Sequence, residues 1–314
     1  MRIDRAIAEM RRDRTLQRRA QRRMKGADEA WRGLPQIAPV LADLERYGSG
    51  TALADCDALR NVFCGDNALE IARSATDLFA RELNANPLGL LPFRHSFDGT
   101  VSTLLLAKSG RAQLILHSRE PGASDYTTAG FSDAERYEVV LAGAGEAQVV
   151  QRSDLGAAPL ALRPGESLTL DLSHAALQVL SVGRRLVSLR LHRFCTNPGP
   201  SREYRLADGA MIHQSSGDMR ASRQEMMLAL LGRMGRTDAA PVMAEIASEP
   251  GDDSLRWQAL RECLALDTAT GWQALSALSC DPADPLAAHA GAVRAQLGEA
   301  HPQLLALEDE RCPA

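Results

Sequence analysis

Near residue 215 the hydrophobic pattern of this chain changes period, from the alternation of strands to the three-and-four spacing of helices, and no other feature constrains the architecture as tightly. Upstream, runs rich in Val, Leu and Ile at 101–107, 112–118, 137–142, 147–152, 167–171, 176–182 and 185–192 are divided by Gly, Pro, Ser and Asp, as in a sandwich or small barrel. The last run is the clearest. Val187, Leu189 and Leu191 alternate with Ser188, Arg190 and His192, so one face is apolar and the other polar, and the polar face reads as solvated. Downstream, helices are expected at 222–234, 238–249, 254–266, 268–279, 285–297 and 302–307, with Ser222, Asp238, Ser254 and Thr268 as N-caps. Helical patterns also precede the strands, at 36–47, 53–62 and 67–84, until Asn86-Pro87-Leu88-Gly89 interrupts them. They are placed to cover one side or an edge of the sheet, which would otherwise invite pairing with other chains.

A chain of 314 residues with 45% apolar content is long enough for two cores. The formal charge of −4 hides an asymmetry: residues 1–25 carry ten Arg or Lys against Asp4, Glu9 and Asp13, an excess of +7, which leaves −11 on the remainder. The six cysteines contain no CxxC pair, which argues against a disulfide framework and a structural zinc site. No run of eighteen apolar residues occurs, so no transmembrane segment is expected, and a cytoplasmic protein is the default.

The basic arm has helical composition, with Ile3, Ala6, Ile7 and Met10 on a short stripe. It reads first as a solvated helix packing on the acidic body and second as an arm meeting nucleic acid or anionic membrane through phosphate contacts; no aromatic residue lies within it to stack on bases.

At Arg136-Tyr137-Glu138-Val139-Val140-Leu141-Ala142-Gly143, followed by Gly145 and the strand from Ala147, the chain resembles the strand-turn-strand core of a cupin. Leu162-Arg163-Pro164-Gly165-Glu166-Ser167-Leu168-Thr169-Leu170 is similar to the Pro-Gly-acidic turn that leads into the second cupin motif. The resemblance covers about 90–195 and implies a jelly roll. It also implies a metal-binding HxH just before the first strand pair, where this chain has Thr127-Thr128-Ala129-Gly130-Phe131-Ser132-Asp133. His174 falls near the place of the second motif's histidine. Another ligand set can be drawn from His95, His117, His174 and Glu138, with His192 and Glu135 as substitutes, and would suit an iron, copper or other divalent transition metal. The long segment 117–133 reads either as an exposed crossover or as a lid whose Arg119, Glu120, Asp125 and Tyr126 frame a barrel mouth and hold a polar ligand.

The C-terminal helices return at about thirty residues, Asp253-Ser254-Leu255 and Asp284-Pro285-Leu286 opening two of them thirty-one apart, and so resemble a short run of HEAT-like repeats. Trp257 and Trp272 lie one on each helix of a pair, as core fillers or as anchors for a partner. Glycine-rich phosphate loop, GxSxG elbow and HExxH are all absent.

The expected fold class is α+β and multidomain: a basic helical arm (1–30), a helical segment packing on the sheet (31–90), a cupin-like antiparallel β-sandwich or barrel (91–215) and a HEAT-like helical array (216–314). Two functional readings follow. One is a cupin-like module without cofactor that binds a small molecule or a protein, with the repeats docking a protein or peptide partner. The other is a metal-dependent, dioxygenase-like enzyme acting on a small molecule or a peptide held by the repeats.

Overall fold

The computed structural model describes residues 13–307, and the chain divides into two compact units, one of residues up to 196 with 204–210 and one of 197–203 with 211 onward. Among the described residues the first unit begins with four α-helices: α1 (Thr15–Arg32), α2 (Ala38–Ser49), α3 (Asp57–Cys64) and α4 (Ala68–Ala85). Ala20, Met24, Ala27 and Trp31 recur at spacings of four and three, so α1 buries one stripe and leaves its arginines in water. The Ile3–Met10 stripe of the arm lies outside the described residues. Among the described residues no helix is long and apolar enough to cross a membrane.

Strands follow as β1 (Arg94–Phe97), β2 (Val101–Ser109), β3 (Ala112–Arg119), β4 (Gly122–Ala123), β5 (Thr128–Phe131), β6 (Ala134–Gln151), β7 (Ala157–Leu162), β8 (Ser167–Asp171) and β9 (Ala175–Phe194). All but β5 form an antiparallel eight-stranded sheet in the order β1-β2-β3-β9-β6-β7, with β4 also on β9 and β8 also on β6. Four of the seven expected runs fuse into two long strands. Gly143, Gly145 and Gly183, which read as turn residues, lie inside β6 and β9, and the ladder between them shifts register four times from Val140 to Ala147. These bulges bend the strands without ending them. Gly143 has φ +85°, and a Cβ there would stand 2.2 Å from the carbonyl oxygen of Arg185. Only glycine fits such a crossing.

Leu106, Leu114, Val139, Leu189 and Leu191 project from one face of this sheet into a core with Trp31, Tyr47, Leu59, Phe63, Phe79 and Phe93 of the helical segment. The helices therefore cover a face of the sheet. Each large side chain buried this fully contributes about 1.5–3 kcal/mol. Gly48 of α2 packs so closely on the β2–β3 turn that a Cβ would fall 2.2 Å from the Ser109 carbonyl oxygen. An ionic clamp also ties helix to sheet: Tyr47 donates to Glu135 Oε1 at 2.6 Å, and the guanidinium of Arg193, also paired with Glu135, stacks 4.0 Å above the Tyr47 ring.

The boundary between units lies within β10 (Ser201–Arg205) and the segment leading to β11 (Met211–Ser215). Beyond it come α5 (Met219–Arg233), α6 (Ala240–Ser248), α7 (Asp253–Leu266), α8 (Thr268–Ser279) and α9 (Ala287–Ala300), close to the expected spans. The caps differ by a few residues: Asp218, Asp252 and Asp267 accept the first free N–H groups in place of Ser222, Ser254 and Thr268. Trp272 is fully buried in a core with Leu260, Cys263, Leu275 and Ala290. Arg256, 4% exposed, pairs with Asp284 and lies 3.6 Å from Asp253.

Candidate functional site

The register of β3, β9 and β6 lines up three rungs: His117 with Ser188 and Val140, Ile115 with Arg190 and Glu138, and Gln113 with His192 and Arg136. Alternation sends the intervening leucines and Val139 to the helices, so Ser188, Arg190 and Glu138 face the opposite way. That face is not solvated, contrary to the expectation for Ser188, Arg190 and His192. Ser188 is 0%, Glu138 3% and His117 7% exposed. On the same face Val140 and Leu186 join Ala147, Leu162, Val179 and Val182, contributed by the bulged far halves of β6 and β9 and by β7, in a second core. The polar residues thus line the interior of the bent sheet beside an apolar wall.

Glu138 is the hub. Its Oε1 accepts from Ser188 Oγ at 2.6 Å and lies 2.8 Å from Arg190 Nε, in an ion pair whose N–H is not aimed at the oxygen. Its Oε2 lies 3.9 Å from Arg136 Nη1 and makes no hydrogen bond. Burial pushes this carboxyl up, but Arg190, Ser188 and Arg136 together hold it below the ordinary glutamate value. The histidines go the other way. Burial, reinforced by Arg190 and only partly opposed by Glu138, lowers His117 to about 3; burial with Arg136 and Arg190 lowers His192 to about 4. Both imidazoles are neutral at pH 7. Burial and the nearby Arg190 bring even the Arg136 guanidinium down to about 10. His117 Nδ1, His192 Nε2 and Glu138 Oε2 are buried polar atoms without a hydrogen-bond partner among the described residues. Groups of this kind destabilise a fold by about 1–3 kcal/mol each unless something satisfies them.

Of the four side chains drawn as metal ligands, the structure brings His117 and Glu138 into this cluster and leaves His95 and His174 exposed on the surface. His95 Nδ1 is engaged with the Phe93 carbonyl at 3.1 Å, and His174 sits in the turn before β9. Among the described residues no group of three His, Cys, Asp or Glu side chains is arranged to hold a metal ion. The interior donors do not suit one either. Glu138 is engaged by Ser188 and Arg190, and with Arg136 3.9 Å from its other oxygen two guanidiniums already face the one carboxylate, so a further divalent cation beside it would be repelled. Where the resemblance implied HxH, β5 places Ala129 and Phe131 in a small core, Phe131 edge-on to Tyr204 at 6.0 Å.

The loop residues are largely tied to one another and to the sheet. Arg119 donates to Tyr126 Oη at 2.9 Å and to Ser124, Tyr126 donates to the Val179 carbonyl at 3.3 Å, and Glu120 pairs with Arg185 at 2.9 Å. Asp125 is exposed. The segment is a strap stitched to β9 through β4. Sequence reasoning missed Arg136, Ser188 and Arg190 and misassigned His192. The signal was the shared parity of Arg136 and Glu138 with Ser188, Arg190 and His192 on two strands whose other parity is apolar.

In the second unit a groove of about 700 Å³ is lined by His213, Glu225, Met226, Trp257, Arg261 and His289 among others. The Trp257 and His289 rings lie 4.2 Å apart. Met226 and Leu230 on α5, and Met234 just past its end, recur every four residues and are 68%, 58% and 60% exposed.

No family model matches this chain, and no curated protein matches it. Among solved structures it is similar to CapF in complex with 3-isopropenyl-tropolone, at 14% identity over 38% of each chain with a TM-score of 0.29. It is also similar to a cupin superfamily protein from Desulfitobacterium hafniense, at 17% identity over 32% of this chain and 83% of that one with a TM-score of 0.25. A cupin-2 domain from Rhodospirillum rubrum is 20% identical over 32% of this chain and 62% of its own, with a TM-score of 0.25. The chain spans well under two thirds of the CapF chain. Overlaps this slight say nothing of what this chain binds or catalyses.

Proposed function

We propose that the first unit is a cupin-like binding module whose interior holds a small polar molecule rather than a transition metal. The observation that carries this reading is the set of orphaned atoms, His117 Nδ1, His192 Nε2 and Glu138 Oε2, buried together beside an apolar wall. An apolar surface with a few convergent polar groups is the usual make-up of a ligand site. The two neutral imidazoles offer hydrogen bonds without charge, and the Arg190–Glu138 pair holds the floor rigid. The test is a thermal-shift screen of small polar molecules on the full chain, with metal content measured on protein purified without chelator. Hits that disappear in His117→Ala, with no stoichiometric transition metal, support the reading; stoichiometric iron, copper or manganese lost in the same variant sinks it.

The helices of the second unit, in this reading, form a short HEAT-like array that offers a protein partner the exposed stripe of Met226, Leu230 and Met234. Flexible, polarisable methionines suit such a surface. Substituting Met226 and Leu230 by Gln would then abolish capture of that partner while leaving the melting temperature unchanged; undiminished capture counts against the assignment.

A further inference from the structure

Resting on the reading of the interior as a ligand site, we propose that its ligand is a small carboxylate that also carries a hydroxyl group. The charge balance supplies the first half. Two guanidiniums, Arg136 and Arg190, share a mostly buried site with one carboxylate, since His117 and His192 are neutral, which leaves one positive charge without a partner there. Arg190 is paired at 2.8 Å, whereas Arg136, its side chain 21% exposed, has among the described residues no ionic contact shorter than 3.9 Å. A buried guanidinium without a close anion is unfavourable, and its planar fork matches a carboxylate.

Glu138 supplies the second half. Its Oε2 is held on the same face as Arg136 in a side chain 3% exposed, and as part of a carboxylate it can only accept. A ligand whose anionic end lies on Arg136 must therefore bring an O–H to Glu138 Oε2, some 4 Å away, a span that a hydroxyl one or two carbons from the carboxyl covers. By register His192 stands beside Arg136 and His117 one rung beyond Glu138, and neutral imidazoles there discriminate by shape and hydrogen bonding rather than by charge. The partial exposure of Arg136 marks the side from which the ligand enters.

The probes are glycerate, propionate and glycerol at matched ionic strength, titrated onto the full chain by calorimetry and by thermal shift. Glycerate should bind saturably, propionate about tenfold more weakly for want of the hydroxyl, and glycerol not at all. Arg136→Met should weaken glycerate by about tenfold or more, with Arg136→Lys between the two because it keeps the charge and loses the fork. Melting curves of both variants without ligand establish that they fold, and the comparison of probes on the unaltered chain does not depend on them. Glycerol binding as tightly as glycerate, with no effect of Arg136→Lys, overturns the carboxylate assignment while leaving the polar-ligand reading standing. Equal effects of glycerate, propionate and chloride, or no saturable binding of any probe, overturn the assignment as well.

Discussion

Replacing Glu138 by Gln should unfold the first unit far more readily than its single lost charge suggests. At an effective dielectric constant of about 20, the contacts at 2.8 Å and 3.9 Å to Arg190 and Arg136 correspond to roughly 6 and 4 kcal/mol of attraction. Desolvation of several kcal/mol per ion opposes them, so the intact cluster is close to balanced. The variant removes the attraction and leaves two mostly buried guanidiniums, 16% and 21% exposed, without a counter-charge, which places the net loss at up to about 3–5 kcal/mol. For a unit of this size that is a fall in Tm of roughly 6–20 °C. The assay is thermal and urea unfolding followed by Trp31 fluorescence in a Trp257→Phe, Trp272→Phe background. Glu120→Gln is the internal control, because its partner Arg185 is 63% exposed and a surface pair contributes about 0–1 kcal/mol. A Glu138→Gln protein within about 1 kcal/mol of the parent would show that water reaches the cluster freely and that Glu138 is not shielded.

Three further outcomes are expected. His117 and His192 stay neutral down to about 3 and about 4, whereas in the unfolded chain they titrate near 6.5, so the unfolded state binds more protons in between. Stability is then fully present above about pH 6.5 and falls on acidification by up to about 1.4 kcal/mol per pH unit for each histidine; urea midpoints at pH 7, 6 and 5 should show it, and His117→Asn should flatten the slope, an unchanged slope counting against the burial of that ring. Gly143→Ala places a Cβ against the Arg185 carbonyl at φ +85° and should lower stability by about 1–3 kcal/mol, a neutral effect in urea being inconsistent with the bulge. Trp272→Ala empties the centre of the helical core and should lower the stability of the second unit by about 3–5 kcal/mol without moving the Trp31 transition.

The helices were legible because their signals are local: apolar spacing, Asn86-Pro87 as a stop, and aspartates near every C-terminal helix start. The strands were legible as segments but not in their joining. Gly143 and Gly183 carry the same letters whether they turn a hairpin or relieve a bulge, and the difference lies in what crosses opposite them, a contact about forty residues away in sequence. The same limitation hid the site. Ser188, Arg190 and His192 alternate with leucines as a surface strand does, and only the pairing with Arg136 and Glu138, together with helices on the apolar face, turns that polar side inward. His95 and His174 attracted attention by residue type alone, and each ends in a surface turn or edge strand. Trp272 is core by its burial, and Trp257 is half-buried against the same cluster, its ring tilted against His289.

The most direct test of the account is electron density between Arg136, Glu138 and His117 in crystals of the full chain grown with glycerate. The account predicts an oxygen-bearing molecule at hydrogen-bond distance, about 2.7–3.2 Å, from the Arg136 guanidinium and Glu138 Oε2. An anomalous peak about 2.0–2.2 Å from an imidazole nitrogen of His117 or His192 would contradict it.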